Sequence, residues 1–527
     1  MFTHAKSRSL LFQGDPAVIG AAVPTVAVDG VGFNLAVRHT ASSTMKLREI
    51  GVDAPSPIMS YYDWPKFKGI YDPFDHQRSM AEFMSLRPRC FNLGEMGTGK
   101  TNSVLWATDF LMKEGTVTGT AIVAPLSTLE RVWVVAIMET VMHRKVVVVH
   151  GSREKRLKAL ATPADFYIIN HEGLAIGPIL EALRTHPTIN HIVVDEGSKF
   201  RNSKTDKYRS LEKLVSNPKL RLWWLTGTPC PTGPDNAWAQ IRLVNPGKVP
   251  KFFGAFRSRV MIEVSEHNWK PKAGSDKIVH EAMQPAIRVA KEDCLDLPPI
   301  IPVDLACEMS PEQDRAFKQM AAAMQVADKA AHEGGTVITA VNAADRINKL
   351  RQIMLGSVKG PNDTYVTYDY APRLKVLFDA IEQAHAKVIV VAPFKGIIQD
   401  LEREIAKKYS VAMVNGDVSI GRRNKIFASF KENRDPHVLL CHPSVMSHGL
   451  NLVEADTLIF FGAMYGNDEY RQVIERYNRP PQDKKLTCVR IGCNPIEWAI
   501  YRSLDSDEQQ QQQILKLYKS IINGDAL

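Results

Sequence analysis

Between residues 74 and about 247, short and nearly continuous apolar runs alternate with amphipathic stretches. The runs at 89–93, 120–124, 145–149, 166–169, 191–194 and 220–225 lack the strict polar/apolar alternation of a half-exposed strand. Strands covered by helices on both faces read this way, so a parallel α/β sheet is expected. Over 308–357 the period becomes helical, in SPEQDRAFKQMAAAMQVADKAAH and NAADRINKLRQIML. A second α/β unit follows, with strands expected at 387–391, 411–414, 437–441, 457–461 and 487–491. The first 70 residues are punctuated by Pro and Gly, with short β-branched runs such as PTVAV, and read as a small α+β domain. The expected division is 1–70 for that domain, 71–247 for the first lobe, 248–358 for helical and protrusion insertions, 359–372 for a linker, 373–505 for the second lobe and 506–527 for a tail.

Composition narrows the class without choosing a function. The 527 residues are 45% hydrophobic and 23% charged, ordinary globular values that exclude a disordered or fibrous chain. No stretch approaches the ~20 apolar residues that cross a bilayer, and the N-terminus has no apolar signal core. The seven cysteines (90, 230, 294, 307, 441, 488 and 493) form no CxxC pair, so a reduced, cytoplasmic protein without a membrane partner is expected. His143, His150, His171, His186 and His191 show no zinc-ligand spacing. The net charge of +9 leans toward a polyanionic partner, but mildly over this length.

The sharpest chemical signal is GEMGTGKT at 94–101, between the strand-like CFNL and the helical stretch 102–112. This is G-x-x-x-x-G-K-T in its proper setting of strand, glycine loop and helix. Glycines let backbone N–H groups turn toward phosphate oxygens, and the helix N-terminus adds favourable partial charge. Lys100 is expected to reach the β- and γ-phosphates and Thr101 a Mg²⁺ ion. The strand-like HIVV ends in Asp195 and Glu196. Two acids at the end of a buried strand are costly unless they work, Asp195 on Mg²⁺ and Glu196 on the attacking water. In WWLTGTP, Thr226 and Thr228 place hydroxyls at a third strand end. In QVIERYNR, Arg476 and Arg479 share one helix face, suited to neutralising transition-state charge; alone they read first as a solvated basic face.

Taken in order, these segments resemble the superfamily-two helicase-like ATPases and, within them, the SWI/SNF-type translocases. FDHQ at 74–77 is similar to the glutamine motif, GEMGTGKT and DEGS to motifs I and II, AIVAPLSTLERVW to motif Ia and IINHEGL to motif Ib. LTGTP is similar to motif III, VIVVAPF to motif IV, SHGLNLVEADTLIFF to motif V and QVIERYNRPPQ to motif VI. LPPIIPVDLACEMSPEQDRAF followed by INKLRQIM resembles the helical segment that marks the SWI/SNF branch. Ser198 stands where relatives usually carry His or Asp, and motif V is less glycine-rich than is common. The compact build looks like that of phage or bacterial members.

The resemblance implies two RecA-like P-loop lobes with ATP and Mg²⁺ in a cleft and DNA across both. It implies nucleotide contacts from Gln77, Gly94, Met96, Gly97, Thr98, Gly99, Lys100 and Thr101, with Gln77 reading adenine. Arg476 and Arg479 become arginine fingers, and Thr226, Thr228, Gly449 and Gln472 couple the ATP state to movement. Nucleic-acid contacts are expected from Ser127, Thr128, Arg131, His171, Lys395, Arg422, Ser447 and Asn451, with phosphate contacts dominating because a motor must not be held by sequence. The positive excess should gather on that face. The expected function is that of an ATP-dependent DNA translocase or helicase, acting as a monomer on duplex, forked or branched DNA, in the host cytoplasm if phage-encoded. An RNA-directed remodeller and an ATP-switched regulatory protein acting on polymerase or repair complexes are the alternatives.

Overall fold

The structure, a computed structural model, describes residues 2–4, 6–66, 72–230, 233–265, 268–294, 299–333, 340–360, 364–446, 452–464, 467–478 and 484–504. The chain divides into two compact units, Met1–Leu295 and Asp296–Leu527.

The first unit opens with strands β1 (Phe2–His4), β2 (Ser9–Phe12), β3 (Thr25–Gly30) and β4 (Phe33–Arg38), an antiparallel sheet of order β1-β2-β4-β3. Alternation along β2 and β4 turns Leu10, Phe12, Leu35 and Val37 inward, onto Ile19 and Leu47 of the helices Pro16–Ala22 and Ala41–Glu49. This is the α+β domain read from the sequence. The aromatic stretch after it is tied down beneath the next sheet. The Tyr62 hydroxyl donates to the buried Asp109 carboxylate at 2.8 Å, and the Trp106 indole donates to the Pro65 carbonyl at 2.8 Å.

The large sheet of this unit contains β5 (Arg89–Asn92), β6 (Thr120–Ala124), β7 (Val146–Val149), β8 (Phe166–Asn170), β9 (His191–Val194) and β10 (Arg221–Leu225). A separate hairpin, β11 (Met261–Ser265) and β12 (Asn268–Pro271), follows, and β13 (Ala286–Ile287) returns to the sheet edge. The order is β13-β5-β10-β9-β6-β8-β7, with every pairing parallel. Every residue of β6, β8 and β9 is buried, which is why these runs do not alternate. Ala121 and Val123 face one hydrophobic core and Ile122 and Ala124 another, so helices cover both faces.

In the second unit β14 (Ile300–Ala306) is followed by the small antiparallel pair β15 (Ser357–Lys359) and β16 (Tyr365–Thr367). Then come β17 (Lys387–Val391), β18 (Val411–Val414), β19 (Val438–Cys441), β20 (Ala455–Phe460) and β21 (Leu486–Gly492), which with β14 form an all-parallel sheet of order β14-β21-β20-β17-β19-β18. Its two faces also carry separate cores, Ile389 and Val391 on one and Val388 and Val390 on the other. The helices Pro311–Glu333 and Ala340–Leu355 pack Phe317, Ile347, Leu350 and Met354 into the first of these. Both sheets are therefore the helix-covered parallel layers of RecA-like lobes.

Residues 248–358, expected as one block of insertions, are split: 286–287 complete the first sheet and 300–306 begin the second. Both strands escape the hydrophobic pattern for physical reasons. β13 is two residues long. β14 carries Pro302 and mixes half-buried with exposed positions, as an edge strand tolerates. Among the described residues no helix is long and apolar enough to cross a membrane.

Candidate active site

Sheet order places the chemistry. β10 lies between β5 and β9, so the carboxyl ends of three adjacent parallel strands carry GEMGTGKT, LTGTP and DEGS. Ligands of open α/β sheets bind at such ends. After β5 the Asn92 side chain accepts from the Gly94 N–H at 3.0 Å and starts the loop. Gly97 and Gly99 adopt left-handed φ of 88° and 78°. At Gly99 only glycine fits, because a Cβ would meet the Gln77 amide nitrogen at 2.0 Å. The helix Lys100–Lys113 begins at the next residue. The Lys100 ammonium donates to the carbonyls of Gly94 and Glu95 at 2.5 and 2.9 Å, folding back into the loop it serves. Thr98 is buried and its hydroxyl donates to the Glu95 carbonyl, while Met96 and Thr101 are half-buried.

Gln77 is buried, and its side-chain oxygen accepts from the Phe74 N–H at 3.1 Å, capping its helix. Beside it, His76 Nε2 hydrogen-bonds the Thr98 carbonyl at 3.1 Å and stacks on Phe74 with an interplanar angle of 12°. This segment therefore braces the glycine loop.

At the end of β9 the Asp195 carboxylate accepts from the Trp133 indole N–H and from the Glu196 backbone N–H, both at 3.0 Å. Burial first, then the adjacent Glu196 carboxylate, pushes Asp195 up to about 6, with Trp133 and Lys100 pulling the other way. Two acids in so confined a place call for a cation. Glu196 has a left-handed φ of 51°, unusual for a non-glycine residue and of a kind found at working sites. Gly197 must be glycine because a Cβ would lie 2.0 Å from the Trp224 indole nitrogen. That indole donates to Gln240 at 3.0 Å, and Gln240 donates in turn to the Pro229 carbonyl at 2.6 Å, so one chain of contacts fixes the turn after β9 and the turn after β10. At the latter turn the Thr226 hydroxyl is buried and has no hydrogen-bond partner among the described residues. A Cβ on Gly227 would lie 3.5 Å from the Gly94 carbonyl oxygen and the Met96 nitrogen, so this turn lies against the glycine loop. Thr228 is exposed. The glycine cradle, the ammonium, the acidic pair and the orphaned hydroxyl suit a Mg²⁺–nucleoside triphosphate.

The expected nucleic-acid residues are placed unevenly. Ser127 is exposed and Arg131 half-buried. Thr128 is buried, its hydroxyl donating to the Pro125 carbonyl at 2.9 Å. His171 is 3% exposed; its Nε2 hydrogen-bonds the Asp195 carbonyl at 2.9 Å and its ring packs edge-on to Phe200. Burial pushes its pKa down to about 4, so the ring is neutral and the Nε2–H donates. The imidazole thus lies inside the lobe, not on a surface open to nucleic acid, because the Asp195 carbonyl needs its donor. In the second unit Lys395 pairs with Asp417 at 2.7 Å, Arg422 is exposed and Gln472 is half-buried. Arg476 is buried. Ser447, Gly449, Asn451 and Arg479 lie outside the described residues, as does the tail.

Trp133 and His76 were missed as site residues. Trp133 falls inside an apolar helical pattern and reads as core; its π-helical setting, Leu129–Val134, shows only in the structure.

The SNF2-related domain matches residues 76–357, and the helicase conserved C-terminal domain matches 372–480. The chain belongs to the SNF2-related family and is a helicase-like ATP hydrolase. It is 24% identical over 401 residues to protein p41 of Acyrthosiphon pisum secondary endosymbiont phage 1, covering 72% of this chain and 83% of p41. It is 23% identical over 436 residues to an uncharacterized ATP-dependent helicase of Mycoplasma genitalium, covering 80% of this chain and 39% of the relative. To the ATP-dependent DNA helicase DDM1 of Arabidopsis thaliana it is 21% identical over 437 residues, covering 76% of this chain. The chain spans 55% of DDM1, so it matches most of the phage relative but about half or less of the other two.

Proposed function

We propose that the protein is an ATP-dependent DNA translocase or helicase that couples hydrolysis to movement along duplex, forked or branched DNA. The observation that carries this reading is the gathering of the glycine loop, the acidic pair and the unpartnered Thr226 hydroxyl at three adjacent strand ends. The similarity to the helicases of Mycoplasma and Arabidopsis and the net charge of +9 support nucleic acid as the track.

In this reading Gly94, Met96, Gly97, Thr98 and Gly99 present backbone N–H groups to the phosphates, with Gln77 at the base. Lys100 leaves the loop carbonyls for the β- and γ-phosphates. Thr101 and Asp195 hold Mg²⁺, which when bound neutralises phosphate charge. Glu196 orients the attacking water and accepts its proton. Arg476 and Arg479 neutralise charge as the bond breaks, and Thr226, Thr228, Gly449 and Gln472 transmit the change. Ser127, Arg131, Lys395, Arg422, Ser447 and Asn451 contact the strand backbone, with Thr128 acting by fixing the turn that carries Ser127 and His171 through Asp195.

ATP turnover measured with and without DNA tests this. DNA is expected to stimulate turnover, and Lys100→Ala and Glu196→Gln should each lower it on the order of 100-fold or more. Equal turnover with and without DNA sinks the translocase reading. Stronger stimulation by RNA than by DNA turns it toward an RNA-directed remodeller.

A further inference from the structure

The segment 248–277 lies outside every motif discussed so far, yet it holds seven Lys/Arg against three Asp/Glu, a large share of the chain's +9 excess. It forms the helix Phe253–Val260 and the hairpin β11–β12, with the helix Ser275–Met283 starting at its end. Its inner side is settled. Phe256 and Val260 are buried, and Arg257 lies 4.3 Å from the Trp269 ring centroid while pairing with Asp235. Its outer side is not. Lys248, Arg259, Lys270 and Lys277 are exposed and make no ion pair among the described residues.

Exposed apolar side chains stand among these cations. Phe252 is 72% exposed with Lys251 beside its ring, Phe253 is 40% exposed, and Ile262 and Val264 are more than half exposed on β11. The register sets Ile262 opposite Lys270, so that hairpin face is both apolar and basic. Unpaired lysines repel one another and gain nothing from solvent that a polyanion would not better. An exposed phenylalanine amid them offers a face on which an unstacked base can lie. Duplex DNA hides its base faces; a single strand does not.

We propose that 248–277 is a second DNA-contact surface that takes single-stranded DNA, with Lys251, Lys270 and Lys277 on phosphates and Phe252 stacked on a base. This rests on the DNA reading above and adds to it where a strand passes outside the motor motifs.

The test is fluorescence anisotropy of the full-length protein with a labelled single-stranded oligonucleotide and, separately, a blunt duplex, over a range of salt. The triple variant K251A/K270A/K277A is expected to bind the single strand on the order of tenfold more weakly, with the slope of log K against log salt shallower by about 2. Phe252→Ala should cost roughly tenfold on the single strand with little change in slope. ATP turnover without DNA should be unchanged in both, since none of these residues belongs to the nucleotide site; that also shows that the variants fold. Wild-type constants and slopes in both variants overturn the inference and leave the DNA reading standing, the outcome expected if an acidic protein occupies the surface. Losses confined to the duplex overturn the single-strand assignment. A wild-type protein that binds neither DNA overturns both readings.

Discussion

At the residue scale, the contacts that hold the acidic pair are more informative than the acids. The DEGS sequence announces Asp195 and Glu196, but the sequence cannot say that an indole from the far end of motif Ia supports one of them. The bond from Trp133 to Asp195 predicts a separable effect. Trp133→Phe keeps an aromatic ring in the core and removes only the donor. A hydrogen bond to a charged group is worth about 1.5–3 kcal/mol, so kcat should fall roughly 10- to 100-fold while KM for ATP stays within about twofold. Steady-state ATPase kinetics check this, and an unchanged kcat removes Trp133 from the site. A second residue predicts acid sensitivity. His191 is wholly buried on β9, and burial drives its pKa well below 6.5, so it folds neutral and protonates more readily when unfolded. Its contribution is therefore complete above about pH 6.5 and is lost as pH falls below that value. The slope is about 1.4 kcal/mol per pH unit. Urea midpoints from pH 8 to pH 5 should show a shallower acid loss in His191→Gln than in the wild type; parallel curves refute the assignment.

At the element scale, legibility followed burial. The strands buried on both faces were readable because almost nothing in them faces water, and the expected 120–124, 191–194 and 387–391 are the observed β6, β9 and β17. The edge strands β7 and β18, only half-buried, were read from their unbroken apolar runs, whereas the edge strands β13 and β14 hid. β14 mixes exposed and covered positions, and Pro302 within it reads as a strand breaker. β13 is too short to carry a period; it shows itself through the bonds Leu93 N–H to the Ile287 carbonyl at 2.7 Å and Glu95 N–H to the Val289 carbonyl at 2.9 Å. Those bonds stiffen the entry to the glycine loop, so an element invisible in the hydrophobic pattern supports the clearest motif. The hairpin β11–β12 was not separated out within the block of helical and protrusion insertions, since its aromatic and basic residues follow neither a period of two nor one of 3.6. Motif order lists three segments far apart along the chain; only strand order, with β10 between β5 and β9, shows why they meet at adjacent strand ends.

At the scale of the whole molecule, the two units carry unequal chemistry. Met1–Leu295 holds the glycine loop, both acids and Thr226, whereas Asp296–Leu527 has a sheet of the same kind without a Gly-Lys-Thr loop and carries Arg476 and Arg479 instead. If the proposed roles hold, affinity for ATP belongs to the first unit and speed of hydrolysis to both. Arg479→Ala in the full-length protein separates the two quantities. A charge-neutralising arginine acts as the phosphoryl bond breaks, so its removal should leave Mg²⁺-ATP affinity within about threefold and lower kcat about 10³-fold. Lys100→Ala should instead weaken ATP binding and turnover together, because that ammonium meets the phosphates in both the bound and the reacting states. Titration with a fluorescent ATP analogue gives the affinities, and single-turnover hydrolysis gives the rates. Hydrolysis at the wild-type rate in Arg479→Ala would remove Arg479 from the chemistry, and the same result in Arg476→Ala and in the double variant would leave the second unit a role in holding the track alone.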